Sequence, residues 1–327
     1  MRIAIVRLSA MGDIIQSMIV LQLIKEHIPD VKIDWFVDEK FSDVLKHARY
    51  LDNIFPLQIK GVRFFEFPYK IIALYKNLRN KGKYDLVIDL QGLIKSALVS
   101  KFILSEKRFG FDRLSIREPL ASFFYSDTIN CSYNKNVIIR YISLVNFSLS
   151  INVRPENILP KKPFFYLDKI FNSEKPKIIL ILGASFESKK YSVKNYSQIT
   201  NSIDADFYAL FKSKAEKLLA KELSLKSNNV KILGNLNLDQ LKEEISSSSL
   251  VIGGDTGPTH LAWALNIPSI TIFGSTPIKR NFFETDINLG ISSNAKVNPL
   301  KINKLNSSIN DIHPSKIIIL IEKLLSK

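Results

Sequence analysis

Short unbroken apolar runs alternate with stretches of helical spacing along most of the chain. Residues 2–7 (RIAIVR) form a run of buried-strand type, and a tight turn, Ser9-Ala-Met-Gly-Asp13, follows it. Ile14, Ile15, Met18, Ile19, Leu21, Leu23 and Ile24 then recur at helical spacing, and the pattern stops near Pro29. Residues 31–37 alternate as a second strand, 41–47 fit a short helix, 53–59 hold a third strand and 64–81 a further helix. Residues 84–89 (YDLVID) are again a buried strand, with a helix expected over 94–104. The same rhythm restarts after residue 176. Strands are expected at 177–182, 206–210, 230–233, 250–252 and 269–273. Helices are expected at 192–203, 215–224, 238–246, 258–265 and, last, 314–325.

Strand–turn–helix alternation of this kind predicts an α/β fold with doubly wound parallel sheets. The stretch 151–176 interrupts it with Pro155, Pro160, Pro163 and Pro176 around Lys161 and Lys162, and reads as a connection between domains. The expected organisation is a domain over 1–160, a second over 174–311 and a closing helix in 312–327. Open α/β sheets bind ligands beyond the carboxyl ends of their strands, so two such domains facing each other would place a cleft there. Functional residues are therefore expected in the loops that follow strands.

Composition changes this picture little, and charge somewhat more. The 327 residues suit two domains of ordinary size, and 46% hydrophobic with 24% charged residues is a globular composition. The single cysteine, Cys131, excludes an internal disulfide framework and points to a reducing compartment. The sequence shows no signal-peptide pattern and no run of about twenty apolar residues. A cytoplasmic protein is the expectation. A net charge of +15 suits anionic partners, although the Lys and Arg residues are scattered, as a merely Lys-rich surface would also have them. A nucleic-acid binder would show an aromatic-interleaved basic stripe or a known motif. Neither occurs, so no nucleic acid is expected.

Two loops carry candidate chemistry. The first, Ser9-Ala-Met-Gly-Asp13, sits where a dinucleotide fold would have G-x-G-x-x-G but holds a single glycine, so a dehydrogenase is disfavoured and no bound cofactor is expected. Gly12 would ease the turn into the helix. Asp13 would be either a plain first-turn acid, which helix starts favour, or a general base for a hydroxyl. The second loop follows a buried strand: Gly253-Gly-Asp255-Thr-Gly-Pro-Thr-His260. Pro258 fits a first helical turn. The N–H groups of Thr256, Gly257 and Thr259 would make an anion site at a helix start, with the Thr hydroxyls as extra donors. A capped helix after a strand is the plainer reading. His260, about one turn in, would reach a diphosphate or serve the structure alone. One Asp-x-Asp, Asp204-Ala-Asp206, opens a strand and reads as a solvated turn. No metal site is expected, and turnover should survive chelation.

Taken together the motifs resemble glycosyltransferase family nine, the heptosyltransferases of lipopolysaccharide inner-core synthesis, over nearly the whole chain. The likeness rests on Ser9-Ala-Met-Gly-Asp13, Asp89-Leu-Gln-Gly-Leu-Ile-Lys95-Ser96, Arg117-Glu-Pro-Leu-Ala and Asp255-Thr-Gly-Pro-Thr-His260-Leu, in order. It implies a GT-B fold with two facing Rossmann-like domains and a C-terminal helix that packs back on the first. It implies an acceptor on the N-terminal half, a donor on the C-terminal half, and an inverting single displacement from ADP-heptose. The second and third motifs point to Kdo-lipid A as the acceptor, hence to peripheral contact with the inner membrane.

By the same resemblance Asp13 matches the catalytic base. Lys189, with its neighbour Lys190, Glu216, Asp255, Thr256, Gly257, Thr259 and His260 match the donor site. Gly12, Lys60, Arg63, Gln91, Lys95 and Arg117 fall on the acceptor side. The chain departs from the family at Tyr191-Ser192, often Trp-Pro, and at Phe211-Lys212, often Trp-Gly. Competing readings are a second heptosyltransferase or other ADP-sugar transferase of the family, a sugar-nucleotide epimerase on the same fold, and a basic nucleic-acid-binding protein.

Overall fold

The computed structural model describes residues 1–59, 68–167 and 174–326. The chain divides into two compact units, Met1–Phe164 and Phe165–Lys327. The first carries β1 (Arg2–Val6), α1 (Met11–Ser17), α2 (Ile19–His27), β2 (Lys32–Asp38), β3 (Asn53–Leu57), α3 (Pro68–Arg79), β4 (Lys83–Asp89), α4 (Ile94–Phe102), β5 (Leu104–Phe111), β6 (Asp127–Ile129) and α5 (Val137–Leu149). Its six strands run parallel in the order β3-β2-β1-β4-β5-β6. Ile3, Ala4, Ile5 and Val6 of β1 are fully buried, as a strand covered on both faces requires.

The second unit carries β7 (Lys177–Ile181), α6 (Val193–Thr200), β8 (Asp206–Phe211), α7 (Lys214–Lys226), β9 (Val230–Gly234), α8 (Leu238–Ser246), β10 (Leu250–Gly254), α9 (Gly257–Ala264), β11 (Ser269–Phe273), α10 (Ile278–Asn281), β12 (Asn288–Ser292) and α11 (Pro314–Leu325). Its strands also run parallel, in the order β12-β11-β10-β7-β8-β9. In each sheet the strand order reverses beside the first strand of the unit, between β1 and β4 and between β7 and β10. Those two switch points are where an open parallel sheet leaves a crevice at its carboxyl edge.

Several expectations are corrected. The single helix expected after residue 13 is two, broken at Met18, whose N–H is shared between the carbonyls of Ile14 and Ile15. The helix expected at 41–47 is a 3-10 helix, Glu39–Leu45, begun by the Asp38 carboxylate accepting from the Lys40 N–H. Gly12 lies within the first turn of α1 instead of bending the chain into it. The closing helix has its buried face in the core of the second unit. Ile317, Ile321 and Leu324 form a stripe at i, i+4, i+7 that packs with α6, β10 and β11. The Tyr191 hydroxyl donates to the Ile312 carbonyl at 2.6 Å and fixes the approach to that helix. The proline-rich connection is tied to the first unit midway along its length, where the Lys162 N–H donates to Gln22 Oε1 and the Arg49 N–H to the Phe164 carbonyl.

Candidate active site

In the first unit the β1 and β4 loops are laced together at the switch point. The Gln91 side-chain oxygen accepts from the N–H groups of Leu8 (2.7 Å) and Ser9 (3.3 Å). Buried Asp89, at the end of β4, accepts from the N–H groups of Gln91 (2.8 Å) and Gly92 (3.2 Å) and from the Tyr125 hydroxyl (2.8 Å). Burial pushes the Asp89 carboxyl up, and bonds from Ser96, Tyr125 and these amides oppose the shift without cancelling it. Gly92 has φ +69°, and a Cβ there would lie 2.6 Å from Ile116 Cγ2. The turn after β4 therefore demands a glycine at this position.

Asp13 occupies the third position of α1. Ala10, the residue before the helix, has no side-chain acceptor, and Asp13 Oδ2 reaches back to its N–H at 3.2 Å. The capping reading is thus met on one oxygen. The other, Oδ1, lies 3.1 Å from Arg7 Nη2, and 43% of the side chain remains exposed. Gln91 serves the loop through its oxygen. Lys95, in the first turn of α4, and Arg117 are both exposed. They lie near each other through Glu118, whose carboxylate accepts from the Ile94 N–H at 2.7 Å. Lys60 and Arg63 lie outside the described residues.

In the second unit a charged cluster forms at the β7/β10 switch point. Asp255 is 5% exposed in its side chain. Its Oδ1 is 2.9 Å from His260 Nε2, and its Oδ2 accepts from Lys189 Nζ at 2.9 Å and Asn281 Nδ2 at 3.2 Å. Lys189 Nζ also donates to the Asp255 carbonyl at 2.9 Å. Burial alone would push the Asp255 carboxyl up, but Lys189 and His260 together hold it well below the usual carboxylate range. Lys190 turns instead to Glu187. Of the two lysines, only Lys189 is shown bonded to Asp255.

The glycine pair before Asp255 is explained by close approach. A Cβ on Gly254 would lie 2.2 Å from the Lys189 carbonyl oxygen, and one on Gly253 would lie 2.6 Å from Ile181 Cβ. The loop bearing Lys189 therefore lies directly on the end of β10. Thr256 precedes α9 without a side-chain capping bond, so its helix start is left to backbone N–H groups. The Thr259 hydroxyl, expected as a donor to the ligand, is buried and donates to the Gly254 carbonyl at 2.8 Å. Thr256 is half-buried, with its hydroxyl 3.2 Å from that of Thr259. Glu216 closes the start of α7, accepting from the N–H groups of Lys212 (2.7 Å) and Ser213 (3.2 Å). It also packs against Gly183, in the loop after β7. Asp204 and Asp206 pair with Lys175 and Lys231, as a solvated turn would.

Asn281 carries no signal in the sequence beyond its place after a strand loop, because it closes a four-residue helix too short to show periodicity. Arg7 was hidden in the same way, as the last residue of an apolar strand run. A charge ending such a run is a legible anomaly.

The Asp255 cluster makes stability depend on pH. A carboxyl depressed on folding stabilises fully above its unfolded value, about 3.9, and loses that contribution as pH falls from there toward the native value. Asp255→Asn is expected to destabilise the second unit by about 3–5 kcal/mol at neutral pH, because it leaves Lys189 facing an uncharged partner in a buried setting. Urea unfolding at pH 7 and pH 3 checks this. The gap between variant and wild type should narrow at the lower pH, and an equal gap at both would contradict the charge assignment.

Two parallel doubly wound sheets, each with a polar cluster at its switch point, are the architecture of the GT-B glycosyltransferases. The family model Glycosyltransferase family 9 (heptosyltransferase) matches residues 71–306, and the chain belongs to that family. Among similar proteins, a lipopolysaccharide heptosyltransferase 1 of Campylobacter coli is 37% identical over 99% of both chains. One of Escherichia coli strain K12 is 28% identical over 84% of this chain and 88% of its own. Among solved structures, E. coli heptosyltransferase WaaC with ADP has a TM-score of 0.80 at 23% identity, covering 99% of this chain and 100% of its own.

Proposed function

We propose that the chain moves L-glycero-D-manno-heptose from ADP-heptose to a Kdo residue of Kdo-lipid A, with inversion at the anomeric carbon. A relative matched over 99% of both chains bears the name lipopolysaccharide heptosyltransferase 1, as does one matched over 84% of this chain. The WaaC fold has been solved with ADP and with ADP-2-deoxy-2-fluoro heptose. The observation that carries the reading is the cluster of Lys189, Asp255 and His260 beside the uncapped start of α9. An ammonium held in place next to open helix N–H groups suits a diphosphate.

In this reading the second unit holds the donor, with Lys189, Thr256 and the N–H groups of Gly257 and Thr259 on the diphosphate. Asp255 and His260 orient that set, and Glu216 stands at the nucleoside end. The first unit binds the acceptor, with Gln91 holding the loop, Gly12 in the first turn of α1 beside it, and Lys95 and Arg117 on its anionic groups. Asp13 takes the proton of the attacking hydroxyl as the new C–O bond forms. The bond from the anomeric carbon to the diphosphate breaks, and the leaving ADP carries the electron pair. Calorimetric titration with ADP, UDP and GDP tests the donor half. Preference for ADP is expected, and equal binding of all three would reject the donor assignment.

The reading extends to peripheral contact with an anionic membrane. Among the described residues no helix is long and apolar enough to span one. Leu120 and Phe123 are 62% and 77% exposed and lie three apart in the 3-10 helix Pro119–Phe124, hence on one ridge. Arg113 and Arg117, exposed just before that helix, add the charge that anionic headgroups attract. The double substitution Leu120→Ser and Phe123→Ser should reduce co-sedimentation with vesicles containing phosphatidylglycerol several-fold. Unchanged sedimentation would place the contact elsewhere.

A further inference from the structure

Arg7 follows β1 directly and carries the only charge at the end of that strand's apolar run. Its side chain is 9% exposed. Nη1 donates to the Leu90 carbonyl at 2.9 Å, in the loop after β4. Nη2 meets Asp13 Oδ1 at 3.1 Å. The backbone is pinned as well, for the Arg7 N–H donates to the Phe36 carbonyl at 3.2 Å and its own carbonyl accepts from Trp35 Nε1 at 3.1 Å. Tyr141 of α5 lies under the guanidinium, with the ring centroid 5.7 Å away.

Fold stability alone gives little reason for a charge at this place. An aliphatic side chain would fill the position without desolvating a cation. The Nε–H is buried and finds no hydrogen-bond partner among the described residues, which adds a further cost. What the guanidinium does achieve is geometric. Its planar fork sends one nitrogen to each of two acceptors at a fixed angle, so the Asp13 carboxylate is tied to the loop after β4. With Oδ2 on the Ala10 N–H and Oδ1 on Arg7, both oxygens of Asp13 are located while part of the side chain stays open to solvent.

We propose that Arg7 is a positioning residue for the transfer reaction, holding the Asp13 carboxylate in its working orientation from beneath the loop. This rests on the reading of Asp13 as the base. Arg7 acts through the Asp13 carboxylate that it holds and takes no proton itself.

The test is a kinetic double-mutant cycle on the full chain with Arg7→Met, Arg7→Lys, Asp13→Asn and the combination of Arg7→Met with Asp13→Asn. Arg7→Met should lower kcat roughly 10–10²-fold through misplacement of the base, with the KM of both substrates close to wild type. Arg7→Lys, which can satisfy one of the two acceptors, should recover part of that loss. In the Asp13→Asn background Arg7→Met should leave the residual kcat unchanged, because there is no base left to position. An equal fold loss in both backgrounds would overturn the proposal. So would a loss confined to KM, or failure of Arg7→Lys to recover any turnover. If Asp13→Asn retains full turnover, the base reading itself falls and the proposal with it. That outcome is distinct from loss in Asp13→Asn with an indifferent Arg7→Met, which sinks the proposal alone.

Discussion

Asp13→Asn is expected to lower turnover by roughly 10²–10⁴-fold, the range for removal of a general base, with donor affinity nearly intact. The physical ground is the position of the carboxylate. It stands in the first turn of α1, and Arg7 and the Ala10 N–H locate its two oxygens. Asparagine keeps an oxygen for the Ala10 N–H, so the cap contact survives the substitution. A capping role therefore predicts little loss, and a base role predicts a large one. Steady-state kinetics at saturating donor, with donor affinity measured by calorimetry, separates them. Turnover close to wild type would return Asp13 to a cap.

Lys189→Met is expected to cost about 10²–10³-fold in kcat, the scale for one well-aimed group facing charge that develops in the transition state. It should weaken ADP binding as well. Lys190→Met should do little of either, since that ammonium pairs with Glu187. Lys189→Met also leaves Asp255 buried with His260 and Asn281 alone, so the variant should be less stable. The combination of Lys189→Met with Asp255→Asn separates the two effects. It removes the orphaned carboxylate and should recover stability in urea unfolding without recovering turnover. Recovery of both together would mean that Lys189 acts only through the fold.

The strands buried on both faces were plain in the sequence. The runs at β1, β7, β10 and β11 are continuous and apolar because helices cover both sides of them, and no other element of that length reads so. What escaped was shorter or more polar. β5 begins Leu104-Ser-Glu-Lys-Arg and is buried only over Phe109–Phe111, β6 has three residues, and β12 carries a glycine at its centre. Such strands lie toward the sheet margins, where one-sided burial weakens the pattern.

The chemistry divided along a similar line. Asp13 and the Asp255–His260 stretch stood in loops after legible strands, so position pointed to them. Which oxygen meets which donor did not follow, because those contacts join residues far apart in the chain. Lys189 lies 66 positions from Asp255 and Leu90 lies 83 from Arg7. The two glycines at 253 and 254 carry no local sign of their purpose, and the packed loop above them shows that they make room. The Thr259 hydroxyl has the residue type of a ligand donor but is spent on the strand end, a contact that spacing alone does not show. The terminal helix carries an apolar stripe that any covered face would accept, and its partner is the second sheet.

The central claim is transfer of heptose from ADP-heptose to the Kdo of Kdo-lipid A, and the most direct measurement is that reaction with the purified chain. Lipid product followed by mass spectrometry should gain one heptose per acceptor, ADP should appear in equal amount, and omission of Kdo-lipid A should suppress ADP release. Release of ADP with free heptose and no modified lipid, or no reaction with ADP-heptose while another nucleotide sugar is consumed, would contradict the account.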